Sequence, residues 1–490
     1  MAAVVWCVLA AIVALLARGL PPRTFFVGDP GVKLIAAQNA VRHPSHPLDI
    51  DLPQIAGRPA PFVDRFFRVH GDHAHAKMPE LFPLLTAPLL AWFPVRGPYV
   101  LPALGLLLAL AAIAALGAAL DPRRSPALLM LVAMLATPLL FYGLEFWEHA
   151  PAVAAAAAAT WLLARPGRTD RDLAVAGLLF GVSILLRPEA ACYAAACVIA
   201  IRLLPHPAGV RDLAIAITAA AITMAPLTFV SSLHGGTWLG DHVSANMSHI
   251  TSQWLQTRAA VVRAWFGSSA RESLWHAAPV AVFAVWPIGS GSPHRGRAFL
   301  ATVAAVSIAL VTLTTPADGG GQWGPRYLLC AFVPLAILVA DALQAIANAR
   351  PRAGLCVAAI ALAAGAFVQR DAYKELRATK QTYERAVTFV EGQSPPGGYI
   401  VTDLFWLDEI AAVLHPTRTF LVVTNATDAQ TVMRMLRDAG AGSVTLMRSR
   451  DESPLRFAED WQIDPPFAVV HVAEIPERTL VSGAIRFAPE

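Results

Sequence analysis

The run Gly319-Gly-Gly-Gln-Trp-Gly-Pro-Arg-Tyr327 is the most specific chemical signal in the chain. Its glycines form a loop, and Pro325 starts a helix, because a first-turn residue has no intrahelical use for an N–H. Arg326 then stands at the helix N-terminal end, where backbone N–H groups and the dipole favour an anion. Its planar guanidinium suits two-point capture of a phosphate. A plain interfacial Arg-Tyr belt leaves the glycines unexplained. Trp323 beside it can stack on a sugar ring or anchor at a membrane interface. Arg187, in Arg187-Pro-Glu189 at another helix end, is a weaker candidate of the same kind.

Three further groups carry ionisable side chains. Asp29 lies in Gly28-Asp-Pro-Gly31 with Lys33 four residues on; flanking glycines let another molecule approach, so it can act as a general base, or it can cap the helix that follows. Glu145-Phe-Trp-Glu-His149 sets Glu145 against Glu148 or His149 at helical spacing, which is either an ion- or substrate-binding cluster or a solvated helix end with Trp147 as anchor. His70, Asp72, His73 and His75 invite a metal reading. They lack a fixed-spacing zinc motif, and a solvated strand face has the same pattern.

The elements that position these residues are membrane spans. About eleven apolar stretches approach the ~20 residues that cross a ~30 Å hydrocarbon core. The chain is 56% hydrophobic and 15% charged over 490 residues, a balance foreign to soluble globular proteins. The net charge of +4 is too small to suggest nucleic acid and is accounted for by short basic loops at 121–124, 165–172, 202–212, 294–297 and 350–352. Such loops stay cytoplasmic, which places the longer loops with Asp29, the histidines, Glu145–His149, 241–249 and 319–326 outside, together with the C-terminal tail. The five cysteines all sit in apolar runs and are expected to be small core residues without disulfides. The first apolar run lacks a basic leader and a small-residue cleavage site and is expected to be a retained span.

Between the spans, 66–77 has the period and Gly71-Asp72 turn of a small β-hairpin, and 81–94 is expected to lie on the membrane surface. Segment 233–271 carries Trp238, Trp254, Trp265 and Phe266 as headgroup-level anchors. The fold expected is mainly α: a transmembrane core over 1–370, including the outer loop 21–97, and a small extracytoplasmic α/β domain over 371–490. Strands in that domain are expected at 399–402, 419–424, 443–447 and 467–472, with helices at 408–414 and 428–439.

Taken together, Gly28-Asp29, the stretch Val69-His-Gly-Asp-His-Ala-His-Ala-Lys-Met-Pro-Glu-Leu-Phe-Pro-Leu-Leu-Thr-Ala-Pro88, Phe146-Trp-Glu-His149 and Gln322-Trp-Gly-Pro-Arg-Tyr327 resemble the GT-C superfamily of polytopic glycosyltransferases. That superfamily includes protein O-mannosyltransferases and lipid A aminoarabinose transferases. The resemblance spans roughly residues 1–370. It implies a plasma-membrane enzyme that moves a sugar from a polyprenyl-phosphate donor to a glycan, lipid or protein hydroxyl, with Asp29 as base. Lys77, Arg326 and Arg187 would bind the donor phosphate; Glu145, Glu148, His149, Trp323 and Lys33 would bind substrate or an ion. Pro30 stands where several members carry a second acid, which leaves metal unassigned and a divalent cation optional. Two rivals come from other classes: a transporter or flippase of lipid-linked sugars, which needs broken helices and midplane charges, and a non-enzymatic envelope assembly protein.

Overall fold

The computed structural model describes residues 1–61, 66–235, 254–285, 294–453 and 467–487. Among these, five helices are long and apolar enough to cross a membrane: Gly97–Leu120, Val210–Leu233, Arg295–Thr314, Arg326–Ala349 and Pro351–Gln393. Shorter apolar helices are Ala2–Arg18, Leu81–Trp92, Pro126–Leu135, His149–Ala164 and Ala190–Leu203. The protein is thus a mainly helical, multi-pass membrane protein. The apolar run 126–143, expected as a single span, is realised in two pieces, Pro126–Leu135 and Leu139–Leu144, because Pro138 has no N–H to continue the first and opens the second. Ser125 caps the first piece by accepting from the Leu128 N–H.

The polypeptide divides into two compact units, 1–19 with 99–375, and 20–98 with 376–490. In the first, large apolar side chains such as Val4, Leu15, Ile222, Phe229, Leu355 and Phe367 remain exposed on apolar helices, as lipid-facing residues do. One of its buried ion pairs is Arg124–Asp341, two bonds of 2.7 Å each, with a third from Arg124 to the Gly117 carbonyl. Arg124 therefore serves as a helix clamp as well as a basic loop residue.

Among its described residues the second unit has three sheets. Strands β1 (Ile50–Asp51), β4 (Phe67–His70) and β5 (His73–Ala76) form one in the order β1-β5-β4, and β2 (Gln54–Ile55) pairs with β3 (Arg58–Pro59). The expected hairpin is β4–β5, joined at Gly71, whose φ of +62° suits a residue without Cβ. The C-terminal sheet runs β7-β6-β8-β10-β9, from β6 (Tyr399–Thr402), β7 (Thr419–Val422), β8 (Val444–Ser449), β9 (Phe467–Glu474) and β10 (Leu480–Phe487). β6 pairs parallel with β7 and β8; β10 is antiparallel to β8 and β9. One face is covered by the helix Ala426–Asp438 together with Ile55 and Ala60. The other is covered by Val387 and Val390 of the 43-residue helix Pro351–Gln393 and by Leu407 and Ile410.

Several local expectations are corrected. Trp265 is buried, its indole N–H bonded to the Asp318 carbonyl at 2.7 Å, so it is a core residue and not a headgroup anchor. Trp238 and 241–249 lie outside the described residues. All five cysteines are free thiols, but Cys7 and Cys356 are exposed on their helices and Cys192 half-buried, leaving Cys197 and Cys330 in the core.

Arg124→Ala should destabilise the protein by about 3 kcal/mol, the low end for stranding one member of a buried pair, since Arg297 also acts on Asp341. Thermal unfolding in detergent checks this. The Arg124→Leu, Asp341→Leu pair should recover most of the loss.

Candidate active site

The candidate residues divide between the units. In the first, Glu145, Phe146, Trp147 and Glu148 form a non-helical break between Leu139–Leu144 and His149–Ala164. The spacing argument had placed them on one helical face; the extended backbone at Glu145 ends that helix instead. Nor are they solvated. Glu145, Glu148, Trp147 and His149 are all at most 1% exposed, so Trp147 is not a surface anchor. Irregular backbone at membrane depth is tolerated only where protein or a lined cavity surrounds it.

Arg187 ends the helix Asp170–Leu186, because Pro188 forbids continuation, and its side chain enters this buried region. It bonds Glu148 at 3.0 Å and Glu189 at 2.5 and 2.7 Å. Burial opposes its charge, and the carboxylates of Glu189 and Glu148 offset that penalty, so the guanidinium stays cationic. Arg187 and Arg326 then converge on one ring: their guanidinium carbons lie 5.5 and 5.0 Å from the centre of Tyr327. Two cations at one aromatic ring repel each other, and an anion bound near both relieves that repulsion.

The glycine loop sets up this geometry. Gly319 has φ +102°, and a Cβ there would sit 3.2 Å from Arg326 Cγ, so a larger residue would be strained and would push the guanidinium away. Arg326 opens a 3₁₀ turn, Arg326–Ala331, that passes directly into the helix Phe332–Ala349. Trp323 is only 2% exposed, stacked near Phe141 at 6.2 Å and edge-on to His276 at 5.1 Å. Its rings therefore form a wall of the region. Tyr142 donates to the Trp323 carbonyl at 3.0 Å and lies 4.7 Å from the His149 ring, tying loop and break together.

In the second unit, Asp29 is half-buried as the first residue of the helix Asp29–Arg42, with Pro30 behind it. Gly28, not Asp29, occupies the cap position. The space that Gly28 and Gly31 leave is taken by this chain's own Glu409. A Cβ on Gly28 would meet the Glu409 carboxylate, and one on Gly31 would lie 1.8 Å from the Glu409 backbone oxygen. Lys33, one turn on, is 2% exposed. Lys77 follows β5 and its N–H bonds the Phe66 carbonyl at 2.7 Å. Glu409 also lines a cavity of about 420 Å³ with Asp51, Asp408, His415 and Arg418. Sequence reasoning passed over Glu409, which has no local motif.

The metal question moves. Glu148, expected as a substrate or ion ligand, is engaged by Arg187. Among the described residues, the grouping with metal-ligand geometry is Asp49, His73 and His75. Asp72 is fully solvated, and its hydrogen bond to His73 holds its carboxyl below the usual range.

No profile of a known protein family matches the chain, and no curated protein matches it in sequence. Solved structures do. ArnT from Cupriavidus metallidurans bound to undecaprenyl phosphate superposes with a TM-score of 0.67 at 12% identity, over 98% of this chain and 97% of that one. The same protein in its apo state gives 0.62 at 14% identity, over 99% and 98%. The fold is GT-C. The archaeal oligosaccharyltransferase AglB from Archaeoglobus fulgidus, in complex with an inhibitory peptide and a dolichol-phosphate, gives 0.53 at 12% identity, over 90% of this chain and 69% of that one.

Gly31→Ala should cost about 1–3 kcal/mol, because the added methyl meets backbone and not a movable side-chain end. Comparison of melting temperatures with Gly442→Ala, where nothing lies within 4 Å and the backbone angle is not in the left-handed region, checks the assignment to Glu409 against the effect of simply adding a methyl.

Proposed function

We propose that this protein is a membrane glycosyltransferase that moves a sugar from a polyprenyl-phosphate donor to an acceptor hydroxyl on the extracytoplasmic face. The observation that carries the proposal is the pair of guanidinium groups, Arg187 and Arg326, gathered at Tyr327 inside a GT-C fold. A double cation, with Arg187 buried and Arg326 half-buried, is matched to a phosphate that gains charge as its bond to the sugar breaks.

In the reaction, Asp29 takes the proton of the acceptor hydroxyl, whose oxygen attacks the anomeric carbon. The bond from that carbon to the phosphate oxygen breaks, and its electron pair leaves with the lipid phosphate. Arg326, Arg187 and Lys77 neutralise that charge. Glu148 and Glu189 keep Arg187 in place and offset its burial, a positioning role that replaces direct substrate binding for Glu148. Glu145 and His149 line the same break and are the groups from which sugar hydroxyls are recognised. The basic loops lie in the cytoplasm, with Asp29 and the tail opposite.

A transporter of lipid-linked sugars also uses broken helices and buried charge, and the break at 145–148 is such a feature. Purified protein in detergent separates the readings: a transferase makes product without compartments, and a transporter or assembly protein does not.

Asp29→Asn keeps the shape but cannot take a proton, so turnover by mass-spectrometric detection of product should fall roughly 10²–10⁴-fold with the melting temperature nearly unchanged. Near-normal transfer would remove Asp29 as base. Arg326→Ala should lower turnover by about 10²–10³-fold, with Arg326→Lys recovering part, because an ammonium supplies charge without the two-point fork. Titrating the polyprenyl-phosphate donor against each variant reads this, and an unchanged donor dependence in folded Arg326→Ala rejects the phosphate role.

A further inference from the structure

We propose that Asp49, His73 and His75 form a binding site for a divalent transition-metal ion, with zinc the best match to the ligand set. The strand register builds it. β1 pairs with β5 as Ile50↔Ala74 and Asp51↔His73, so the next position out sets Asp49 opposite His75. Side chains alternate along a strand, which puts Asp49, Asp51, His73 and His75 on one face of the sheet. Asp51 is taken by His43 at 2.8 Å, which leaves Asp49 to face the two imidazoles.

The separations suit one ion. Asp49 Oδ1 lies 3.5 Å from His75 Nε2 and 3.8 Å from His73 Nε2. Ligands about 2.1 Å from a tetrahedral centre are about 3.4 Å apart, so small side-chain shifts close the site. The ring orientations point the same way. His75 Nδ1 is 3.0 Å from the Leu48 carbonyl, and His73 Nδ1 is 2.9 Å from the Asp72 carboxylate. Both oxygens only accept, so each Nδ1 carries the hydrogen and each Nε2 turns its other valence toward Asp49. An oxygen partner behind each imidazole is the outer-shell arrangement of metal-bound histidine. His70, whose Nε2 is buried without a hydrogen-bond partner, packs 5.4 Å from the His75 ring and encloses that side. His75 is 7% exposed and His73 35%, so one side is sealed and the other open to an exchangeable ligand. Two imidazoles and one carboxylate select zinc-like ions over magnesium or calcium, which prefer oxygen. The ion ties the two-residue strand β1 to the hairpin, a structural task separate from sugar transfer.

The test is zinc titration of the full-length, chelator-stripped protein in detergent, by competition with a chromophoric chelator. One equivalent should bind with a micromolar or tighter Kd and raise the melting temperature, in the presence of excess magnesium. His73→Ala with His75→Ala should abolish both effects. Asp49→Asn, and Asp72→Asn at a fully exposed position that does not threaten folding, should each weaken binding by about 10–100-fold. His43→Gln with His46→Gln should leave it unchanged. A wild-type protein that binds no zinc below 100-fold weaker than this about 1 µM benchmark, as when protons on the imidazoles already satisfy Asp49, overturns the proposal. So does binding that survives the hairpin variants or disappears with the His43/His46 pair.

Discussion

A guanidinium cannot be held inside an apolar bundle unless carboxylates are buried with it, and much of the first unit follows from that requirement. Arg187 needs Glu148 and Glu189. Glu148 in turn must approach from outside any regular helix, because a helical backbone there would continue Leu139–Leu144 and carry the carboxylate along the helix surface. The break at 145–148 therefore serves the ion pair, and the aromatic layer of Tyr142, Trp147 and Trp323 keeps water from dissolving it. The net energy of such an assembly is small, since desolvation offsets most of the attraction. What it provides is a fixed cation, held ready beside Arg326.

The glycines at 319–324 and at 28 and 31 solve different problems with the same residue. Gly319 supplies a backbone angle that other residues resist, which lets the loop fold over Arg326. Gly28 and Gly31 have ordinary helical geometry and matter only for the missing side chain, which brings the segment 405–410 against the start of the Asp29 helix. A substitution tolerated in one place is thus no guide to the other.

Periodicity made the spans, the hairpin and four of the five C-terminal strands legible, because apolar burial leaves its period in local sequence. Residue type and neighbours, not periodicity, made Asp29, Arg187 and Arg326 candidates, and their roles remain part of the proposal. What stayed hidden depends on contacts far along the chain. The buried state of Glu145 and Glu148, the use of Trp265 and Trp323 as core, and the seat of Glu409 under the glycines have no local signature. Asp49 belongs with them: nothing in the sequence around it marked it, and only the register of β1 on β5 shows which histidine it meets.

The second unit is assembled from the two ends of a long interval in the chain. Arg23 bonds Glu391 across 368 residues, and Thr24 bonds the Lys380 carbonyl across 356. During synthesis the segment with Asp29 and Lys77 emerges early, while its packing partners are still untranslated. Closing so large a loop is slow, and its surfaces stay uncovered until the last hundred or so residues arrive. A ribosome that stops just after the helix Pro351–Gln393 would release a protein with that helix made and the Asp29 segment on an unfinished surface. Folding of the segment around Asp29 and Lys77 therefore waits for the residues from 380 onward to be made.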